Sequence, residues 1–276
     1  MSEKKMTLDE LVRWLDDKKV PYGIDDAGKL TVKGDLTGRF WNWAKSYKYT
    51  SLPDELICIE GDLWLEDIPI TSLGNLASVG GDLNLQNTSI TSLGKLTSVG
   101  GNLNLRKTSI TSLGKLTSVG GWFDLRDTSI TSLGNLTSVG EFLDLKGAPI
   151  VSLGNLTSVG GWLGLEGVPI TSLGNLTSVG GDIDLQGASV TSLDDLPQVG
   201  NELCLDESQF QLLTREVLQK VKGGIRHREQ EDWFWGITLS PDELETIIAE
   251  NERRERLHNV QRGTLLSDVD WALYDK

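Results

Sequence analysis

The sequence predicts a β-solenoid with a parallel sheet, capped by helices at both ends. Three observations carry that prediction. A twenty-residue unit, GDLNLQNTSITSLGKLTSVG at 81–100, occurs seven times without a gap between 61 and 200. Counted from Gly61 as slot 1, slots 3, 5, 10, 13, 16 and 19 hold Leu63, Leu65, Ile70, Leu73, Leu76 and Val79, and later copies are apolar there too. Helix signals flank the array on both sides. A fixed period with fixed apolar slots marks coils that bury their apolar sides only by stacking on one another.

Residues 1–27 form the N-terminal cap. Thr7 reads as an N-cap, with Glu10 completing a capping box, and Leu8, Leu11, Trp14 and Leu15 make the apolar side of a helix over 7–18. Such a helix covers the open end of the first coil. The solenoid spans 28–206. After an Asp-Asp-Ala-Gly turn at 25–28, LTVKGDL already follows the repeat around its corner. The first coil is then interrupted at 37–49 by TGRFWNWAKSYKY. Phe40, Trp41, Trp43, Tyr47 and Tyr49 of this insertion make either a lid over the first coils or a projecting binding loop.

In the seven regular repeats, 61–200, slots 2 to 6 alternate polar and apolar residues. That pattern predicts a short strand with slots 3 and 5 facing in and slots 2, 4 and 6 facing out. Stacked at roughly 4.7 Å, the strands are expected to form one long parallel sheet in a rod on the order of 33 Å long. Slot 20 is Gly from Gly80 to Gly200, as at a corner needing positive φ or close approach to the next coil. Slot 1 is looser, since Glu141 and Asn201 replace its Gly. Slot 14 is Gly until Asp194, as at a left-handed turn position that Asp also tolerates. Slot 12 is Ser in every copy, from Ser72 to Ser192, with its hydroxyl expected on turn backbone. Slots 11 and 17 are mostly Thr. Hydroxyls bonded to backbone account for this Ser/Thr surface better than an ice-binding face does.

Residues 207–276 form the C-terminal cap and tail. A helix is expected from about Ser208 to Lys222, lined by Phe210, Leu213, Val217 and Val221 and stopped by Gly223-Gly224. A second begins at Ser240, where Ser-Pro-Asp-Glu supplies the N-cap, and carries Leu244, Ile247 and Ile248. Between them lie Trp233, Phe234 and Trp235, and SDVDWALYDK at the end suits one more short helix. This tail serves as a cap, an effector module or a second contact surface.

Variation concentrates in the outward strand slots. Slot 2 runs Asp62, Asp82, Asn102, Trp122, Phe142, Trp162, Asp182, so three adjacent coils carry large aromatics. Slot 4 includes Trp64, Asp124 and Asp144, and slot 6 includes Arg106, Arg126 and Lys146. An aromatic ridge flanked by carboxylates and bases has the composition of a protein-binding hot spot. The same aromatics also suit a stacked ladder that stabilises the sheet, or a surface covered by the C-terminal segment.

The repeat pattern LxLxxTxIxSLxxLxxVGG resembles the short leucine-rich repeats of many bacterial and bacteriophage proteins, and is similar to the repeat of receptor L-domains. The resemblance covers roughly residues 28 to 206. It implies a right-handed leucine-rich repeat solenoid that binds other molecules, usually proteins, and shares no catalytic residues. Larger bacterial effectors of this kind with ligase activity carry a sizeable catalytic domain, for which the residues after the repeats are too few.

Charge and chemistry narrow the classes. The formal net charge is −14, split as about −1 over 1–60, −7 over 61–200 and −6 over 201–276. That balance repels nucleic acid and anionic membranes, and no segment is basic enough for a nucleic-acid site. Cys58 and Cys204 stand near opposite ends of the array, so reduced thiols are expected. The start, MSEKKMTLDELVRW, lacks the apolar run of a signal peptide, which gives a cytoplasmic expectation. The glycosylation-type matches at Asn135, Asn155 and Asn175 are then by-products of the repeat.

His227 and His258 have no cysteine at metal-ligand spacing, so no metal is expected. The Val-Gly-Gly corner lacks the Lys and Ser or Thr of a phosphate-binding loop. Asp124 and Asp144 on adjacent coils form a carboxylate pair, but without a cleft acid–base work is not expected of them.

The resulting expectation is a protein-binding scaffold without catalytic residues or cofactor. Its contact residues are Trp122, Phe142, Trp162, Trp64, Asp124, Asp144, Arg106, Arg126 and Lys146, and Trp41, Trp43, Tyr47, Trp233 and Trp235 form a second candidate contact. The resemblance implies a role as inhibitor or adaptor of a host or defence protein. Two other classes are an acidic decoy that competes with nucleic acid for a basic protein, and a carbohydrate-binding solenoid. Coil spacing of roughly 4.7 Å, shorter than one sugar unit, argues against the last.

Overall fold

The computed structural model describes residues 4–227 and 237–261. The chain forms a parallel β-solenoid with helices at both ends, as the repeat predicts. Among the described residues the single expected sheet is, however, two ten-stranded sheets. The first is built from slots 18 and 19, from Ser78–Val79 to Gln198–Val199, and the second from slots 3 and 4, from Leu63–Trp64 to Ile183–Asp184. Pairing is in register at one repeat, as in Val79↔Val99 and Leu63↔Leu83. The slot-18 strand is missed by a purely alternating reading, because only slot 19 of it points inward and its outward neighbour is a small Ser. Strand pairing in slots 3 and 4 is also shorter than the expected run, since the chain turns at slots 6 and 7.

A third side carries isolated parallel bridges at slot 12, such as Ser92↔Ser112 and Ser132↔Ser152. The six apolar slots of all coils merge into one buried cluster, with Leu63, Leu76 and Ile70 fully inaccessible. Two corners turn through left-handed backbone: slot 7, as at Asn87 (φ 56) and Lys107 (φ 57), and slot 14, as at Gly94 (φ 60). The slot-12 hydroxyl accepts the slot-14 N–H in every repeat, from Gly74 N–H to Ser72 Oγ at 3.0 Å to Asp194 N–H to Ser192 Oγ at 2.9 Å. Asp194 does not share the left-handed backbone expected of it. Slot-17 threonines also bond to backbone, with Thr117 Oγ1 donating to the Thr97 carbonyl at 3.0 Å.

The N-terminal cap is helix α1 (Leu8–Lys18), with the Thr7–Glu10 capping box in place and Leu11, Trp14 and Leu15 buried. A hairpin of Tyr22–Ile24 and Leu30–Val32 then starts the first sheet. The aromatic insertion is helix α2 (Gly38–Tyr47), folded down as a lid. Phe40 and Tyr49 are fully buried, and Trp14, Phe40 and Trp43 meet with ring centroids 5.2 to 5.9 Å apart.

At the other end the expected single helix is split. A 3-10 turn (Glu207–Leu212) and helix α3 (Arg215–Lys220) are separated where Thr214 caps α3 by accepting the Val217 N–H. The chain then returns to the second sheet as Gly224–His227, beside Glu202–Leu205. Helix α4 (Pro241–Gln261) starts at a Ser240–Glu243 capping box and buries Leu244 and Ile248. Asn251 pins it by donating to the Phe210 and Leu213 carbonyls at 2.9 and 3.0 Å. The sequence expectation of a last helix within 267–276 lies outside the described residues. Among the described residues no helix is long and apolar enough to cross a membrane.

Candidate functional site

The outward face of the second sheet is governed by two rules of hydrogen bonding. In slot 2 an Asp or Asn side chain accepts the backbone N–H of slot 2 in the next coil. Asp62 Oδ1 takes the Asp82 N–H at 2.7 Å, Asp82 takes Asn102 at 2.7 Å, and Asn102 takes Trp122 at 2.8 Å. In slot 4 an Asp or Asn accepts the N–H two residues on, tying down the slot-6 turn. Asn104 does so for Arg106, Asp124 for Arg126 and Asp144 for Lys146, at 3.0, 3.0 and 3.1 Å.

Trp122, Phe142 and Trp162 break the first rule in three consecutive coils. None of them offers an acceptor, so the ladder stops at Trp122 and resumes only where Asp182 accepts the Glu202 N–H at 2.9 Å. The amides of Phe142, Trp162 and Asp182 thus receive no side-chain acceptor from the coil before. Each such bond is worth about 1 kcal/mol.

The rings are not equivalent. Trp122 and Phe142 are 54% and 49% exposed. Trp162 is half-buried, because its ring folds over Gly164, where a Cβ would lie 2.2 Å from Cη2. Gly at slot 4 thus leaves room for the indole and removes the turn-capping Asx. Phe142 leans over the corner at Gly161, where a Cβ would sit 2.7 Å from Cδ1. No pair among these three rings is stacked, so the ladder of mutually stacked aromatics does not form. The described C-terminal residues leave Trp122 and Phe142 open. Trp64, 39% exposed, lies at the opposite end of the sheet from the C-terminal cap, three coils before Trp122.

The expected charged residues are mostly engaged with one another. Arg126 is bidentate on Asp124, with Nε at 3.0 Å and Nη2 at 2.5 Å, and its Nε is 3.3 Å from Asp144. Lys146 reaches Glu166 at 2.7 Å, and Arg106 lies 3.6 Å from Asp127. Burial raises the Asp144 pKa against the pull of the Lys146 amide and Arg126. Asp124 and Asp144 are therefore bridged by a guanidinium, an arrangement that fixes the sheet surface.

Of the second set, Trp41 and Trp43 are partly buried against the core, and the Trp41 indole N–H donates to the Glu66 carbonyl at 2.6 Å. Tyr47 is 51% exposed, stacks on Tyr49 at 5.8 Å and carries Lys4 4.3 Å above its ring. Trp233 and Trp235 lie outside the described residues.

Two features were not anticipated as sites. The outward face of the first sheet forms a groove of about 760 Å³ running from Cys58 to Gly180 and floored by slot-18 serines and slot-20 glycines. Glu141, exposed beside Phe142, is the one charged residue in slot 1; the loosened glycine there was its sequence signal. Cys58 and Cys204 are both free. Among the described residues no group of three or more His, Cys, Asp or Glu is placed to hold a metal ion.

No protein-family model matches the chain, and neither the curated proteins nor the solved structures contain a match to it.

Proposed function

We propose that the chain is a non-enzymatic scaffold that engages a protein partner through the outward face of its second sheet, centred on Trp122 and Phe142. One observation carries this reading: three consecutive coils abandon a hydrogen-bond ladder kept on both sides of them, and two of the rings so introduced stand half-exposed. A local rule broken without a folding gain marks a position kept for contact. Large exposed aromatics in register also have the composition of an interface centre. Trp162 and its Gly164 floor the patch, and the Asp124–Arg126–Asp144 bridge holds its rim rigid. The likeness to short leucine-rich repeats supports an inhibitor or adaptor of a host or defence protein, and two free cysteines near opposite ends of the array suit a reducing compartment.

The test uses substitutions that restore the ladder. Phe142→Asn returns an acceptor to the next coil, where slot 1 is Gly161, and is expected to leave the protein as stable as before or more stable by about 1 kcal/mol. Trp122→Asn instead sets its oxygen against the Glu141 Cβ and is expected to fold with no gain, as at Asn201 beside Asp182. Affinity capture from the source cell or its host, read by mass spectrometry, is expected to lose the partner in the double variant. A partner retained equally by the folded double variant would eliminate this face.

A further inference from the structure

We infer that the exposed rings of Trp122 and Phe142 together with the Glu141 carboxylate receive a cationic side chain, arginine or lysine, from the polypeptide that docks there. The inference rests on the binding face proposed above and names the chemistry of its partner.

Slot 1 is the place to begin. Its glycine packs under the slot-2 side chain of the coil before: a Cβ on Gly81, Gly101 or Gly121 would lie 2.0, 2.2 and 2.2 Å from the Oδ1 of Asp62, Asp82 and Asn102. Replacing the slot-2 Asx by Trp122 removes that oxygen, and the next slot 1 is Glu141. The backbone still registers the added Cβ. The slot-1 N–H to carbonyl bond between coils is 2.7 to 3.0 Å wherever the donor is Gly, and 3.3 Å from Glu141 to Gly121. Asn201, the other exception, shows the same stretch at 3.2 Å and is compensated, since its Nδ2 donates to Asp182 at 2.6 Å. Glu141 has no such compensation: its side chain is exposed and enters no hydrogen bond or ion pair among the described residues. An exposed carboxylate thus stands next to Phe142 in sequence and one coil after Trp122, at the expense of inter-coil packing.

The surrounding charge selects the partner. The bases of this face, Arg106, Arg126 and Lys146, already contact Asp127, Asp124 with Asp144, and Glu166. Along the same edge Asp82 and Asp182 accept amide hydrogens and meet no cation among the described residues, so the ridge is bounded by negative charge at both ends. A second copy of this chain, with net charge −14, would be repelled. A guanidinium or ammonium is attracted to a ring face and to a carboxylate together, and the pair is worth more than either alone when water is partly excluded. Five coil steps from Asp82 to Asp182 span about 24 Å, which an extended segment of about seven residues would cover.

The probe is a nonapeptide alternating glycine and arginine, with its glycine–glutamate counterpart as control, titrated calorimetrically into the full chain. The wild type is expected to bind the arginine peptide saturably, more weakly as salt rises from about 0.05 to 0.5 M, and to ignore the glutamate peptide. Glu141→Gln, a change outside the core and the ladder, is expected to weaken binding at least tenfold with an unchanged melting temperature. Trp122→Asn is expected to weaken it similarly. No binding by the wild type, or undiminished binding by Glu141→Gln, overturns the cation assignment. Partner capture from cells separates the two readings: loss with Trp122→Asn but not with Glu141→Gln overturns the cation alone, whereas retention by both removes the face itself.

Discussion

The slot-20 glycine owes its place to distance, not to dihedral angle. None of Gly80 to Gly200 in that slot has positive φ, yet a Cβ there would lie 1.9 to 2.2 Å from the carbonyl oxygen of the coil before. The obstacle is backbone, so it cannot swing aside. Gly120→Ala is therefore expected to lower unfolding stability by about 2 to 4 kcal/mol in urea titration. At Gly134 the reverse holds, with φ 58 and open space around a would-be Cβ, and Gly134→Ala is expected to lower stability by only about 1 kcal/mol. Equal losses at the two sites would refute the distinction. Cys204 illustrates the other residue-scale effect: burial, with Asp184 alongside, pushes its thiol up to about 12, which makes it a poor nucleophile at neutral pH.

Among the elements, the caps hold the ends by side-chain hydrogen bonds as well as by apolar burial. The Glu10 carboxylate accepts the Thr7 N–H at 2.9 Å, and that bond, opposed by partial burial and aided by the Tyr49 and Thr7 hydroxyls and Lys4, lowers its pKa. A lowered folded-state pKa means the stabilisation is complete above the unfolded value of about 4.3 and is lost as pH falls through the folded value. Stability of the wild type is thus expected to decline more steeply below about pH 4.3 than that of Glu10→Gln. Parallel melting curves for the two proteins down that range would exclude the linkage. The insertion shows why an element's role is hard to read locally. Its aromatics fit a helix with Phe40 and Ala44 facing in, but only the presence of Trp14 from α1 on the other side makes it a lid.

For the whole molecule, coil-to-coil contact sets both stability and tolerance. Each coil touches its neighbours through the same two sheets in the same register, so a coil can be removed and the ends rejoined. Deleting residues 81–100 is expected to leave a folded, cooperative protein with a modestly lower melting temperature, since Asp62 then faces Asn102 in place of Asp82. Deleting the N-terminal residues 1–19 is expected instead to give aggregation, because Phe40 and Trp43 lose their cover. Circular dichroism and light scattering on both deletions check this. An unfolded coil deletion would show that the array is less modular than its register.

The sequence by itself determined the solenoid and the six core slots, because identical neighbours supply their partners, and the capping box at Thr7 and the slot-12 serine turns, because each closes within a few residues. It also placed the aromatic ridge on an outward slot. Only the tertiary structure decided that there are two sheets, since the slot-18 strand exists through pairing between coils rather than through its own alternation. The fold also decided that slot-20 glycine answers to a carbonyl one coil away, that Trp162 lies down on Gly164 while Trp122 and Phe142 stand out, and that the slot-6 bases are already paired. Most of these depend on a contact between coils or on a ring's choice between neighbours, and even the short-range Arg126–Asp124 pair is fixed only by the side-chain geometry of the turn.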